Sequence, residues 1–175
     1  MSVSMRSDGC PWHAGEFGNM VGPPNEDWDQ SLFTLRDMVE LALPHPQGAR
    51  VVEIGAGSGE TTVAYARDWR GIPDVALWLV DPGEYRQLLD FNVTHHVPFA
   101  NILPTPAIEE AQNLSKQDLS LLILSAKLTR AEQVALVKAW LRHLVSGGRI
   151  VVRKPIDGEH FALGGYSVDQ SGEWM

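Results

Sequence analysis

Residues 119–125 read LSLLILS, apolar at nearly every position. A strand with one wet face alternates apolar and polar residues. A continuous apolar run belongs instead to a strand covered on both faces, the condition of a parallel sheet with helices above and below it. Parallel neighbours cannot be joined by tight turns, so such a strand commits the chain to helical crossovers. The remaining sequence follows that demand. ARVVEIG, VALWLVD and RIVVRK are further apolar, β-branched runs, and FANILPT is a weaker one whose Pro104 places it at an end or an edge. Between them stand helical patterns: ETTVAYARDW, EYRQLLDFN with His95 and His96 in the loop after it, AIEEAQNL, and LTRAEQVALVKAWLRHLVSGG. In the last, Thr129 and Glu132 have capping-box spacing, and Gly147 and Gly148 are expected to end the helix left-handed. A first helix in DWDQSLFTLRDMVELALP, stopped by Pro44, leads into the core. Five strands alternating with helices predict an α/β fold: a doubly wound, mostly parallel sheet with helices on both faces.

The 175 residues suffice for one hydrophobic core. Residues 29–175 are expected to form a single domain, and residues 1–28, with many Gly, Pro and polar positions, an irregular N-terminal arm. An arm closing over a pocket as a lid, or packed on a second copy in a homo-oligomer, would account for Trp12, Phe17 and Trp28. The net charge of -8, without any cluster of Lys and Arg, argues against nucleic acid as a partner. No apolar run reaches the length of a signal peptide or a membrane span, and the single cysteine, Cys10, cannot form an intramolecular disulfide. A cytoplasmic protein without membrane contact is expected. Cys10 and His13 in CPWH have no second ligand pair, so no metal site is expected.

The chemistry is concentrated in VVEIGAGSGETT, residues 51–62. A glycine turn directly behind the first strand lies where open parallel sheets bind nucleotide-like groups. Gly55 permits a sharp exit, Gly57 lets the main chain approach a ligand, and Gly59 lets the next helix pack closely. A dinucleotide fingerprint requires its third glycine one residue later, where this chain has Glu60, a carboxylate that would repel a diphosphate. Asp81, at the end of the second strand and 22 residues past Gly59, has the position of a ribose-binding carboxylate in either nucleoside class.

With an acid two residues before the first glycine, Glu53-x-Gly55-x-Gly57-x-Gly59 resembles motif I of the class I S-adenosylmethionine-dependent methyltransferases. The likeness runs from about Leu32 to Lys154. It implies S-adenosylmethionine as cofactor, with Glu53 organising the loop and facing the methionine amino group. Gly55, Ala56, Gly57, Ser58 and Gly59 would lie along the ligand, Asp81 on the ribose and Pro82 beside the adenine. Thr105 and Ala107 would stand at the adenine edge, and Ser125, at the end of the fourth strand, would also bind the cofactor. The family's antiparallel hairpin after strand five has only 22 residues past Arg153 to form in, so an abbreviated C-terminus is expected. Leu124-Ser125-Ala126-Lys127 offers no carboxylate for a divalent metal, which disfavours a metal-dependent mechanism. The resemblance implies methyl transfer to a hydroxyl or amine of a small-molecule acceptor, with His96 and His160 as candidate bases. The alternatives are a non-catalytic binding or partner subunit of the same fold and, disfavoured by Glu60, an NAD-dependent oxidoreductase.

Overall fold

The computed structural model describes residues 3–5, 11–13, 36–83, 85–126, 128–156 and 160–167. Strands β1 (Val3–Met5) and β2 (Pro11–His13) pair antiparallel, so the segment read as irregular contains two short regular pieces. Helix α1 occupies residues 36–42 of the described chain and ends before Pro44. The central sheet follows: β3 (Arg50–Ile54), β4 (Ala76–Val80), β5 (Asn101–Leu103), β6 (Leu119–Leu124), β7 (Leu144–Ile156) and β8 (His160–Ser167). Helices α2 (Glu60–Ala66), α3 (Arg86–His96), α4 (Ala107–Asn113) and α5 (Arg130–Trp140) join the strands. The spatial order is β5-β4-β3-β6-β7-β8, parallel as far as β7, with β8 antiparallel on the edge. The order reverses at β3, from which the chain crosses first to one side and later to the other. That makes the carboxyl ends of β3 and β6, whose following helices pack on opposite faces, the topological switch point.

Alternate side chains of the same strands feed two separate cores. Val51, Leu77, Leu79, Leu121 and Ile123 face α1, α2 and α3 through Val39, Val63, Tyr65, Leu89 and Val93. Val52, Ile54, Val80, Leu122 and Leu124 face α4 and α5 through Ala111, Leu136, Val137 and Trp140. The period of two in a strand therefore explains why LSLLILS needs no polar alternation: both of its faces are interior. The expected capping box at α5 is present, with Glu132 N donating to Thr129 Oγ1 at 3.2 Å.

Two expectations change. The α3 helix continues past EYRQLLDFN to include His95 and His96, because Val93 packs in the core and His95 stacks on Phe91 with ring centroids 4.0 Å apart. α5 stops at Trp140 and passes through a 3-10 turn, Leu141–His143, directly into β7. Gly147 and Gly148 consequently cap no helix. They build a bulge where Leu119 pairs with Leu144 but Leu121 already pairs with Arg149. Gly147 has φ +81°, and a Cβ on Gly148 would lie 2.9 Å from the Val145 carbonyl oxygen. The C-terminus is abbreviated as expected: β8 pairs antiparallel with β7 from Arg149 to Ile156 and forms the edge of the sheet.

Candidate functional site

The loop after β3 is held by contacts that only glycines tolerate. Gly55 has φ +79°, and a Cβ there would come 2.4 Å from Ala126 Cβ and 2.9 Å from Ala126 N. Its N–H donates to Val80 O, and Ser125 N–H donates to Ile54 O, each at 2.9 Å, so the ends of β3, β4 and β6 are drawn together at this point. Gly59 has φ +95°, and its missing Cβ leaves room for Leu89 and Asn92 of α3. Asn92, fully buried, donates from Nδ2 to the Ser58 carbonyl at 2.6 Å and fixes the loop from behind.

Asp81 stands at the end of β4 with one carboxylate oxygen on each side of the crevice. Oδ2 accepts from Gly57 N and Oδ1 from Gly83 N, both at 2.9 Å. The carboxylate thus ties the glycine loop to the β4–α3 loop. A carboxylate oxygen has two acceptor positions, so each keeps one for a further donor. Beside it, Asp81 N donates to Leu103 O at 3.0 Å, which aligns the end of β5 and the Thr105 segment with the same crevice. Gly55, Gly57, Gly83, Thr105, Ala107 and Ala126 are half-buried and Pro82 is exposed, while Ala56, Ser58 and Ser125 are buried.

Glu53 is completely buried on the α2 side of the sheet and accepts from four hydroxyls. Tyr65 OH donates to Oε1 at 2.6 Å and Thr61 Oγ1 to Oε2 at 3.3 Å, while Thr62 Oγ1 donates to Oε1 and Ser125 Oγ to Oε2. Burial raises the Tyr65 phenol well above its ordinary value, and the Glu53 charge adds to the shift, so Tyr65 remains a donor. Glu60, also buried, accepts from Ser58 Oγ within the loop.

The segment after β5, which carries Thr105 and Ala107, is braced from the other core. Trp140 Nε1 donates to Ala107 O at 3.1 Å, and Arg142 Nη2 to Ala111 O and Leu114 O at 2.6 and 2.5 Å. His143, buried beneath them, accepts from Gln117 N at Nδ1 (3.2 Å) and donates from Nε2 to Ala111 O (2.8 Å), which fixes the neutral ring with its proton on Nε2. Burial, assisted by the Arg142 charge, lowers its pKa.

The structure therefore gathers Gly55, Gly57, Asp81, Pro82, Thr105 and Ser125 around the carboxyl ends of β3, β4, β5 and β6. It does not bring His96 there. α3 leaves the crevice at Gly83 and runs back toward the amino ends of the strands, carrying His96 in its last turn away from the glycine loop. The His160 backbone opens β8 opposite Ile156, and its side chain lies outside those described. The residues missed by sequence reasoning are Thr62, Tyr65, Asn92 and Ala126. The sequence did carry one signal for the first two: a threonine and a tyrosine three residues apart, on one face of the helix that follows the strand of a buried acid.

No protein-family model matches the chain, and no curated protein matches it in sequence. Solved structures do. An S-adenosylmethionine-dependent O-methyltransferase from Thermotoga maritima aligns with TM-score 0.56 at 17% identity, covering 71% of this chain and 44% of that one. A precorrin-6y C5,15-methyltransferase from Geobacter metallireducens gives 0.54 at 18%, covering 67% and 60%. A precorrin 8w decarboxylase from Methanobacterium thermoautotrophicum gives 0.56 at 17%, covering 77% and 66%. The chain spans between 44% and 66% of the length of these three. At such identities the likeness is one of architecture, and it shows that this chain has a class I methyltransferase-like fold.

Proposed function

We propose that this chain binds S-adenosylmethionine at the carboxyl ends of β3 and β4 and transfers its methyl group to a hydroxyl or amine of a small molecule. The observation that carries the reading is Asp81, whose two oxygens bridge Gly57 and Gly83 and retain acceptor capacity toward the crevice. That arrangement suits a ribose diol, which presents two adjacent hydroxyl donors. The glycine loop suits a ligand lying against bare main chain, and Thr105 and Ala107 suit an adenine edge read by backbone groups. Glu60 at the head of α2 supports a sulfonium nucleoside over a dinucleotide, because a second buried carboxylate disfavours phosphate close by.

When bound, the sulfonium supplies an activated methyl group and a good leaving group. The work left to the protein is placement: Asp81, Gly55 and Gly57 fix the donor, and an acceptor aligned with the carbon–sulfur bond gains from proximity. An amine that enters unprotonated needs no base, whereas a hydroxyl requires one. His160 is the base proposed for a hydroxyl acceptor. The displacement of His96 from the crevice favours the second reading, a binding or partner subunit that uses the same pocket without catalysis. The decarboxylase among the similar structures illustrates that this architecture serves reactions besides methylation.

Calorimetric titration with S-adenosylmethionine, S-adenosylhomocysteine and NAD separates these readings. Micromolar binding of the first two with weaker NAD binding is expected. Tighter binding of NAD would reject the proposal. Release of S-adenosylhomocysteine on incubation with acceptor panels distinguishes an enzyme from a binding subunit.

A further inference from the structure

Glu53 occupies the position at which the family resemblance implies a contact with the methionine amino group, and its surroundings are at odds with that role. Both oxygens accept from two hydroxyls each, so the acceptor positions of a carboxylate are all engaged. The residue is 0% exposed. A ligand ammonium would have to displace a hydroxyl of α2 or β6 from a closed interior, leaving that hydroxyl unsatisfied. The donors come from two places, Thr61, Thr62 and Tyr65 from α2 and Ser125 from the end of β6, and the acceptor Glu53 stands on a third element, β3. The cage therefore locks together the elements that meet beneath Gly55, where Ala126 leaves no spare volume.

We infer that Glu53 is a positioning residue that makes no contact with the ligand, and that Thr62, Tyr65 and Ser125 act with it to hold the glycine loop in its binding shape. The inference rests on the nucleoside reading of the site. Its consequence is a separation of roles. Recognition of the nucleoside half depends on a loop that the cage shapes, and the charge of Glu53 does not read the amino-acid half.

Two ligands test this: S-adenosylhomocysteine, and 5′-methylthioadenosine, which has the nucleoside and sulfur but no amino-acid group. Each is titrated into the native chain, Glu53→Gln, Thr62→Val and Thr62→Ser, with thermal unfolding recorded to establish that each variant is folded. Thr62→Val deletes one hydroxyl at nearly constant volume, and both affinities should fall together by about two- to tenfold, the value of one hydrogen bond. Thr62→Ser restores the hydroxyl and should restore both affinities. In every folded variant the ratio of the two affinities should stay within about threefold of the native ratio, because a charged contact to the ammonium is worth about tenfold or more and would be lost for one ligand only. A larger change of ratio overturns the inference, as does native affinity in Thr62→Val. If Glu53→Gln does not fold, Tyr65→Phe replaces it: freeing an acceptor position would tighten S-adenosylhomocysteine selectively if Glu53 faced the ammonium, whereas both ligands weaken alike if it does not. Failure of the native chain to bind either ligand overturns the nucleoside reading and this inference together. Native binding followed by a shifted ratio overturns this inference alone.

Discussion

Replacing Gly55 by alanine adds one methyl group at the most crowded point of the site. The new Cβ would lie 2.4 Å from Ala126 Cβ, 2.9 Å from its N and 3.0 Å from its Cα. Two of those three atoms are backbone, so no rotamer change relieves the overlap, and β3 and β6 must separate. A non-glycine residue at φ +79° costs about 1–2 kcal/mol on its own, and overpacking a close interior contact adds about 1–3 kcal/mol. The sum, about 2–5 kcal/mol, is a large share of the roughly 5–15 kcal/mol that stabilises a typical domain. Gly48 provides the control: its φ is +71°, and nothing lies within 4 Å of a Cβ built there. Gly48→Ala should therefore show the backbone cost alone. Urea unfolding of both variants measures the difference, which should be at least about 1 kcal/mol, or about 2–4 °C in Tm for a chain of this size. Gly55→Ala in an Ala126→Gly background should recover part of the loss, since the closest atom is then removed. Equal stability of Gly55→Ala and Gly48→Ala would refute the argument that the glycine is required by the approach of Ala126.

Other consequences are open to simpler measurements. Asp81→Asn places an amide N–H2 against either Gly57 N–H or Gly83 N–H, so stability should drop by about 1–3 kcal/mol and nucleoside affinity by at least about tenfold; unchanged affinity in titration would dismiss the assigned pocket. His143 has a lowered pKa when folded, so between that value and about 6.5 the unfolded chain binds a proton that the folded chain refuses. Stability should accordingly fall as the pH drops through about 6.5, and His143→Gln should flatten the pH dependence of the urea midpoint in that window. Trp140→Phe removes the donor to Ala107 O and also leaves a cavity where the fully buried indole stood, so a loss larger than the about 0.5–1.5 kcal/mol of one hydrogen bond is expected in urea unfolding.

The sheet was legible because hydrophobic runs and helical periodicity are local signals, and each strand announced its own burial. LSLLILS stated that both its faces were covered, and Thr129 with Glu132 stated where α5 begins. What was not legible depends on residues far apart in the chain. The end of α5 was misplaced because Gly147 and Gly148 resemble a helix terminator locally, while their true reason is the pairing of β7 with Leu119 and Leu121. His95 and His96 were read as a loop because nothing nearby marks the packing of Val93 into the core. At the site, the glycines and Asp81 were identified by spacing. The hydroxyl cage around Glu53 joins residues 8, 9, 12 and 72 positions away, and only the fold assembles it.

The bonds from Trp140, Arg142 and His143 also bear on the order in which this molecule becomes structured. α4 has seven residues, begins at Pro106 without a side-chain cap and is far below the length at which a helix persists alone in water. Its carbonyls at 107, 111 and 114 are satisfied by donors that arrive about 30 residues later in the chain. α4 is thus a borrower: it can become helical in earnest only once the turn after α5 has docked, and it should be lost with that turn. Hydrogen exchange should find the α4 amides opening in a single step with residues 141–143, and the wall of the crevice near Thr105 as the last part of the sheet's rim to be secured.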